Sequence, residues 1–130
     1  MAADRHRRTV RTAAAAAALT AAVLTGCGAV DRTLDCVRTA DSVADGVTDL
    51  QQAVENAAGG PARADAALTA IDEDLRALGD RTRNADVNRA VDHLTTAAGT
   101  VRTALDTGDR TPDLTPVTDA AGELTKVCTP

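Results

Sequence analysis

Few side chains in this sequence are equipped for chemistry, and their spacing decides what they could do. The only serine, Ser42, lies in an acidic stretch and has no GxSxG setting around it. His93 stands between Asp92 and Leu94. Neighbours on a helix point about 100° apart, so His93 and Asp92 do not make an acid–base dyad. Gly59-Gly60 is followed by Pro61 and not by the Lys-Thr pair of a phosphate loop. Carboxylates are plentiful. Asp41, Asp45 and Asp49 recur every fourth residue, Asp72-Glu73-Asp74 forms a block, and Asp106, Asp109 and Asp113 follow later. None of these groups has the spacing and central glycine of a calcium loop. Like charges four apart on a helix cost a few tenths of a kcal/mol each, roughly, and Arg38 can offset part of that. The Asp41, Asp45, Asp49 ridge therefore reads as a solvated face, with binding of cations or a basic partner as the sharper alternative. Three cysteines remain, Cys27, Cys36 and Cys128, an odd number that asks for one of them to have a separate fate.

The N-terminus supplies that fate. Arg5, His6, Arg7, Arg8 and Arg11 precede an uncharged, alanine-rich run from Thr12 to Leu24. A basic region followed by an apolar run this short is the pattern of a secretory signal and falls below a comfortable membrane span. The next residues, Leu24-Thr25-Gly26-Cys27, resemble the lipobox of bacterial lipoproteins at all four positions. Leu24 matches the aliphatic position, Thr25 and Gly26 the small ones and Cys27 the cysteine. The resemblance implies a thioether-linked diacylglycerol on Cys27, cleavage after Gly26 and acylation of the new amino group. It covers residues 1–27 and no more. Several acyl chains anchor firmly, because each buried methylene contributes about 0.8 kcal/mol and a single chain is marginal. Arg7-Arg8 leaves twin-arginine export open beside the general route, with Thr9-Val10 standing where such signals carry a strongly hydrophobic pair. The Ala, Thr, Asp, Arg and Val bias, with one lysine at Lys126, resembles a high-GC actinobacterial composition.

Removing residues 1–26 takes away four of the 14 basic residues and one of the 19 acidic ones, leaving ten against eighteen. That surplus of acid argues against a nucleic-acid partner and against lying flat on an anionic membrane. Phe, Trp and Tyr are absent, and from Cys27 onward Val, Leu and Ile make up just under a fifth of the residues. So little bulky apolar content with so much charge warns of disorder. Periodicity answers the warning.

After a tether over residues 27–32, a helix is expected from about Thr33. Cys36, Ala40, Val43, Val47, Leu50, Val54 and Ala57 step by four and three along one stripe. Gly59-Gly60 ends it, and Pro61 suits the first turn of the next helix. That second helix, about 61–78, carries Ala64, Leu68, Ile71, Leu75 and Leu78, pairs Asp72 with Arg76 and stops at Gly79. A third, about 85–107, has Asn84 as its N-cap, Val87, Val91, Leu94, Ala98, Val101 and Leu105 on its stripe, and Gly108 as its stop. A loop with Pro112 leads to Thr115-Pro116, a cap and a first-turn proline, and to a fourth helix carrying Val117, Ala121, Leu124 and Cys128. The fold class this predicts for residues 33–130 is all-α, a small antiparallel up-down-up-down four-helix bundle. Val37-Arg38-Thr39-Ala40 recurs at Val101-Arg102-Thr103-Ala104 and, within the signal, at Val10-Arg11-Thr12-Ala13. A copy in the signal makes compositional bias the better account of the repeat.

With Cys27 assigned to lipid, Cys36 and Cys128 are left as a pair in an oxidising compartment. The start of the first helix and the end of the fourth share a pole in such a bundle, so the two are expected to form a disulfide. A redox or metal site would want CxxC spacing or a nearby histidine, and neither is present. No metal ligand set, cofactor or catalytic group is predicted. Thr96, Thr100 and Thr103 are expected to face outward on the third helix, where O-linked sugar is conceivable. The sequence thus predicts a non-enzymatic binding or structural module of the cell envelope. It would be held by lipid on Cys27 at the outer face of the cytoplasmic membrane, stapled pole toward the bilayer, and would serve an envelope protein partner. The alternative function is binding of cations or small cationic ligands through the acidic faces.

Overall fold

The computed structural model describes residues 26–56 and 60–129. Residues 1–25, with Leu24 and Thr25 of the lipobox and the whole expected signal before Gly26, lie outside the described residues, as do Ala57, Ala58 and Gly59. Four helices account for nearly everything else: α1 (Gly26–Glu55), α2 (Gly60–Arg81), α3 (Ala85–Asp106) and α4 (Thr115–Cys128). Each packs against its sequence neighbours, and α1 also meets α4, while the diagonal pairs α1/α3 and α2/α4 do not approach. This is an antiparallel up-down-up-down bundle with one helix at each corner of a square.

The stripes read from the sequence point inward. Leu50, Leu68, Ile71, Leu75, Leu94, Leu124, Val43 and Val117 are completely buried. Around them the gaps are filled by alanines, among them Ala53, Ala67, Ala90, Ala97 and Ala120. A core without aromatic rings must draw its helices close to leave no void. Gly46 on α1 meets that requirement: a Cβ there would lie 2.9 Å from Ile71 Cγ1 on α2. The α1–α2 contact is correspondingly the most extensive in the bundle.

Cys36 and Cys128 are bonded, with 5.2 Å between their Cα atoms and 92 residues between them in sequence. That spacing falls within the usual disulfide range. Both cysteines are buried on the inward stripes, so the bond closes one pole of the bundle. Closing a loop of this length is worth about 4 to 5 kcal/mol in chain-entropy terms. For a core of Val, Leu and Ala, that is a large share of the total stability of about 5 to 15 kcal/mol typical of small domains.

Several local expectations need correction. α1 starts at Gly26, so residues 27–32 are its first turns and not a separate tether. Nothing between Gly28 and Arg32 breaks a helix, and a helix already nucleated below propagates into these exposed turns. α2 runs through Gly79 to Arg81. A single glycine costs about 1 kcal/mol in a helix, and the packing of Leu75 and Leu78 in the turn before it outweighs that cost. At α4 the N-cap position is Leu114, whose side chain makes no capping bond; one residue earlier, Asp113 Oδ1 accepts from the Thr115 backbone N–H at 2.9 Å. Thr115 itself is already helical, with Pro116 beside it in the first turn. The α3 ends match expectation. Asn84 Oδ1 accepts from Asp86 N and Val87 N at 2.9 and 3.3 Å, and Gly108 follows the helix with φ +91°, a backbone state that suits glycine.

Candidate functional site

The structure sets the chemically equipped residues in three separate places. At the stapled pole, Gly26 and Cys27 form the beginning of α1, nine residues before the disulfide. From Gly26 to Glu55 the backbone is one continuous helix. The residues that carry the lipobox resemblance and remain in view therefore open directly into the rigid part of the bundle.

The acidic ridge occupies the outer face of α1. Asp41, Asp45 and Asp49 are all exposed, and the spacing of four keeps them in a row. Ser42 on the same side donates its hydroxyl to Asp74 Oδ2 on α2 at 2.7 Å, which ties that aspartate across the helix pair. Arg38 is exposed, and among the described residues it makes no ion pair with the ridge. Its offset is therefore a long-range one. The described residues hold no cluster of three or more His, Cys, Asp or Glu arranged to grip a metal ion.

The third place is the groove between α3 and α4. His93 Nδ1 lies 3.0 Å from Glu123 Oε2, and both side chains are more than half exposed. Asp113, Asp119, Thr96 and Thr100 line the same shallow groove. Glu123 as the partner of His93 escaped the sequence reading because the two are 30 residues apart on different helices. Such a pair can pass a proton. Thr96 and Thr100 donate their hydroxyls to the carbonyls of Asp92 and Thr96, and neither serine nor cysteine lines the groove. Thr103 behaves likewise, donating to Gly99 O, and all three threonines face outward. At the edge of this groove the Asp113 carboxyl is held below its usual range by the bonds it accepts, first from the Thr115 backbone and then from its hydroxyl.

One electrostatic feature is wholly tertiary. The Arg102 guanidinium on α3 reaches Asp65 Oδ1 at 2.6 Å and Asp72 Oδ2 at 3.0 Å on α2. Asp72 is thus engaged across the helix interface, and the expected Asp72–Arg76 pair does not form. With side-chain exposures of 32% for Arg102 and 28% for Asp72, this bridge is the most sheltered ion pair of the described residues. It also separates the two copies of the Val-Arg-Thr-Ala sequence. In α3 the arginine bridges helices and the threonine is exposed, whereas in α1 Arg38 is exposed and Thr39 is buried. The copies present different faces, as a compositional coincidence would.

No described helix is long and apolar enough to cross a membrane. No protein-family model, curated protein or solved structure matches the chain.

Proposed function

We propose that this chain is a lipid-anchored helical module of a bacterial cell envelope, held by acyl chains on Cys27 and working by binding or spacing and not by catalysis. The observation that carries the reading is Leu24-Thr25-Gly26-Cys27 after a basic start and an alanine-rich run. A thiol at that position can take a thioether-linked diacylglycerol, and two or more chains make the attachment lasting. Support comes from the cysteine arithmetic. Cys36 and Cys128 are committed to each other, which leaves Cys27 as the thiol outside the disulfide. A buried disulfide also fits a chain that matures in an oxidising compartment. On the side of chemistry, the His93–Glu123 pair lies open to solvent in a shallow groove, a poor foundation for catalysis.

The test is to express the full chain and its Cys27→Ser variant in a bacterial host and weigh the product in each fraction. The expected result is a membrane-bound protein lacking residues 1–26 and heavier by its lipid. The variant should be unlipidated and leave the membrane or stay unprocessed. A Cys27→Ser protein still bound to the membrane at the same mass as the parent would overturn the reading. Crosslinking on the native membrane then identifies the partner.

A further inference from the structure

The surface of the bundle is lopsided in two respects that coincide. Among the described residues the large apolar side chains left exposed are Val30, Leu34 and Val127, at 57%, 46% and 36%. All three belong to the stapled pole, two on α1 ahead of Cys36 and one next to Cys128. The same pole gathers the cations. Residues 26–38, 76–89 and 123–129, the ends of the four helices there, contain seven basic and five acidic side chains. Residues 39–75 and 90–122 contain three basic and thirteen acidic ones. The acidity of the mature chain therefore lies in the body and far pole, and the stapled pole is net positive.

The arrangement at that pole is specific. An open hollow of about 390 Å³ is lined by Arg32 from α1, Arg81 and Arg83 from the α2–α3 turn, and Val127 from α4. All four side chains are exposed. Arg81 uses its Nε on the Ala77 carbonyl at 3.0 Å, and among the described residues none of the three arginines is in an ion pair. Asp35 also lines the hollow but pairs with none of them among the described residues, and unpaired guanidinium groups beside aliphatic side chains are suited to phosphate at an apolar boundary.

We propose that the stapled pole is a membrane-seating surface: Arg32, Arg81 and Arg83 take the phosphates of anionic phospholipids while Val30, Leu34 and Val127 enter the interface. The bundle then stands end-on over the bilayer. This deepens the lipid-anchor reading and rests on it, since acyl chains on Cys27 would deliver this pole to the membrane. Basic residues close to an anionic surface each raise partitioning by roughly fivefold, and a lipid chain with a basic patch is a durable pair of signals. The acidic remainder does not cancel the attraction. α2 has 22 residues, so at 1.5 Å per residue the far pole stands roughly 33 Å away, several times the Debye length of about 8 Å at physiological salt. Lying flat would bring all thirteen acidic groups down to the lipid together; standing upright leaves those of the far pole beyond screening range, with only the nearest, such as Asp41, Asp74 and Asp92, close to the stapled pole.

The chain has no Phe, Trp or Tyr, so one introduced tryptophan reports alone. The lipidated full-length protein, as Leu34→Trp or as Thr111→Trp at the far pole, is reconstituted into vesicles with brominated chains. These are made either from a phosphatidylglycerol–phosphatidylcholine mixture or from phosphatidylcholine only. Mass spectrometry of the same samples reads the lipid on Cys27. The expected result is emission from Leu34→Trp quenched at least twofold more in the anionic vesicles than in the neutral ones, with Thr111→Trp unquenched in both. Adding Arg32→Glu, Arg81→Glu and Arg83→Glu should abolish the difference, and so should molar salt on the unreversed protein, which guards against a folding defect. A lipidated protein whose Leu34→Trp is unquenched, or equally quenched in both vesicles, overturns the seating surface and leaves the anchor standing. Shielding of Leu34→Trp in native membranes but not in protein-free vesicles would give the pole to an acidic protein and also overturn it. Absence of lipid from Cys27 overturns both.

Discussion

The two poles of the bundle are built on opposite principles. At the stapled pole three chain segments meet around the Cys36–Cys128 bond, and the surface is arginine with exposed valine and leucine. Order there comes chiefly from one covalent link between residues far apart in sequence, with the Asn84 cap of α3 beside it. At the far pole no such link exists. The chain turns from α3 into α4 through Gly108 at φ +91°, a buried Pro112, and Asp113 capping the Thr115 N–H. Order there is assembled from local devices, each modest by itself. The contrast teaches that a bundle with no aromatic core can concentrate its strength at one end and leave the other to turn chemistry.

The comparison can be broken most severely at the staple. Cys36→Ala with Cys128→Ala, or reduction of the folded protein, should lower unfolding stability by about 3 to 5 kcal/mol. Thermal melting of oxidised and reduced protein reads it directly, and a drop of only a degree or two would show that the pole is held by packing alone. The far pole should answer with a smaller change. Gly108→Ala forces a Cβ into a positive-φ position and should cost about 1 kcal/mol. Denaturant midpoints with an unchanged slope would report this. A gain of comparable or smaller size is expected just beside the staple. Gly79 lies in the last turn of α2, where a Cβ would sit 3.8 Å from Val91 Cγ1, an ordinary contact. Gly79→Ala should therefore stabilise by about 0.5 to 1 kcal/mol, and a loss would mean the α2–α3 contact is tighter than it stands here. Asp113→Ala should have the slightest effect, recognised by its pH dependence more than its size. The folded carboxyl is held below its ordinary value of about 4. Its contribution is therefore complete above that value and fades as pH falls through the lowered one. Stability curves of parent and variant should run parallel at neutral pH and converge in acid; a constant gap down to strongly acid pH would count against the cap.

The inward stripes were legible because Leu, Val and Ile at steps of three and four leave little choice of face. Cys36, Val43, Val47 and Leu50, or Leu68, Ile71, Leu75 and Leu78, needed nothing beyond the helical period. Alanine was a different matter. Ala53 and Ala120 are buried while Ala121 is only partly so, and in a chain this rich in alanine the residue type does not distinguish packed from open positions. Gly79 read as a stop because a glycine's effect depends on what the next turn packs against, which is tertiary information. The pairing of Arg102 with Asp65 and Asp72 was hidden for the same reason: Arg76 is nearer in sequence, and Arg102 is nearer in space. Of the candidate site, the Cys36–Cys128 pairing followed from counting. The gathering of Arg32, Arg81 and Arg83 with Val127 did not, since these come from three segments whose shared pole only the folded bundle makes evident.

The disulfide has one more consequence, for what happens when a protease cuts the chain. All three interhelical connections lie inside the ring that the bond closes. A single cut in any of them, at exposed Arg83 or Arg110 for instance, opens the ring without separating its pieces. The fragments stay joined by sulfur and, if Cys27 carries lipid, stay on the same membrane. Such a nicked molecule would run as one species on a gel until reductant is added, and only then as two.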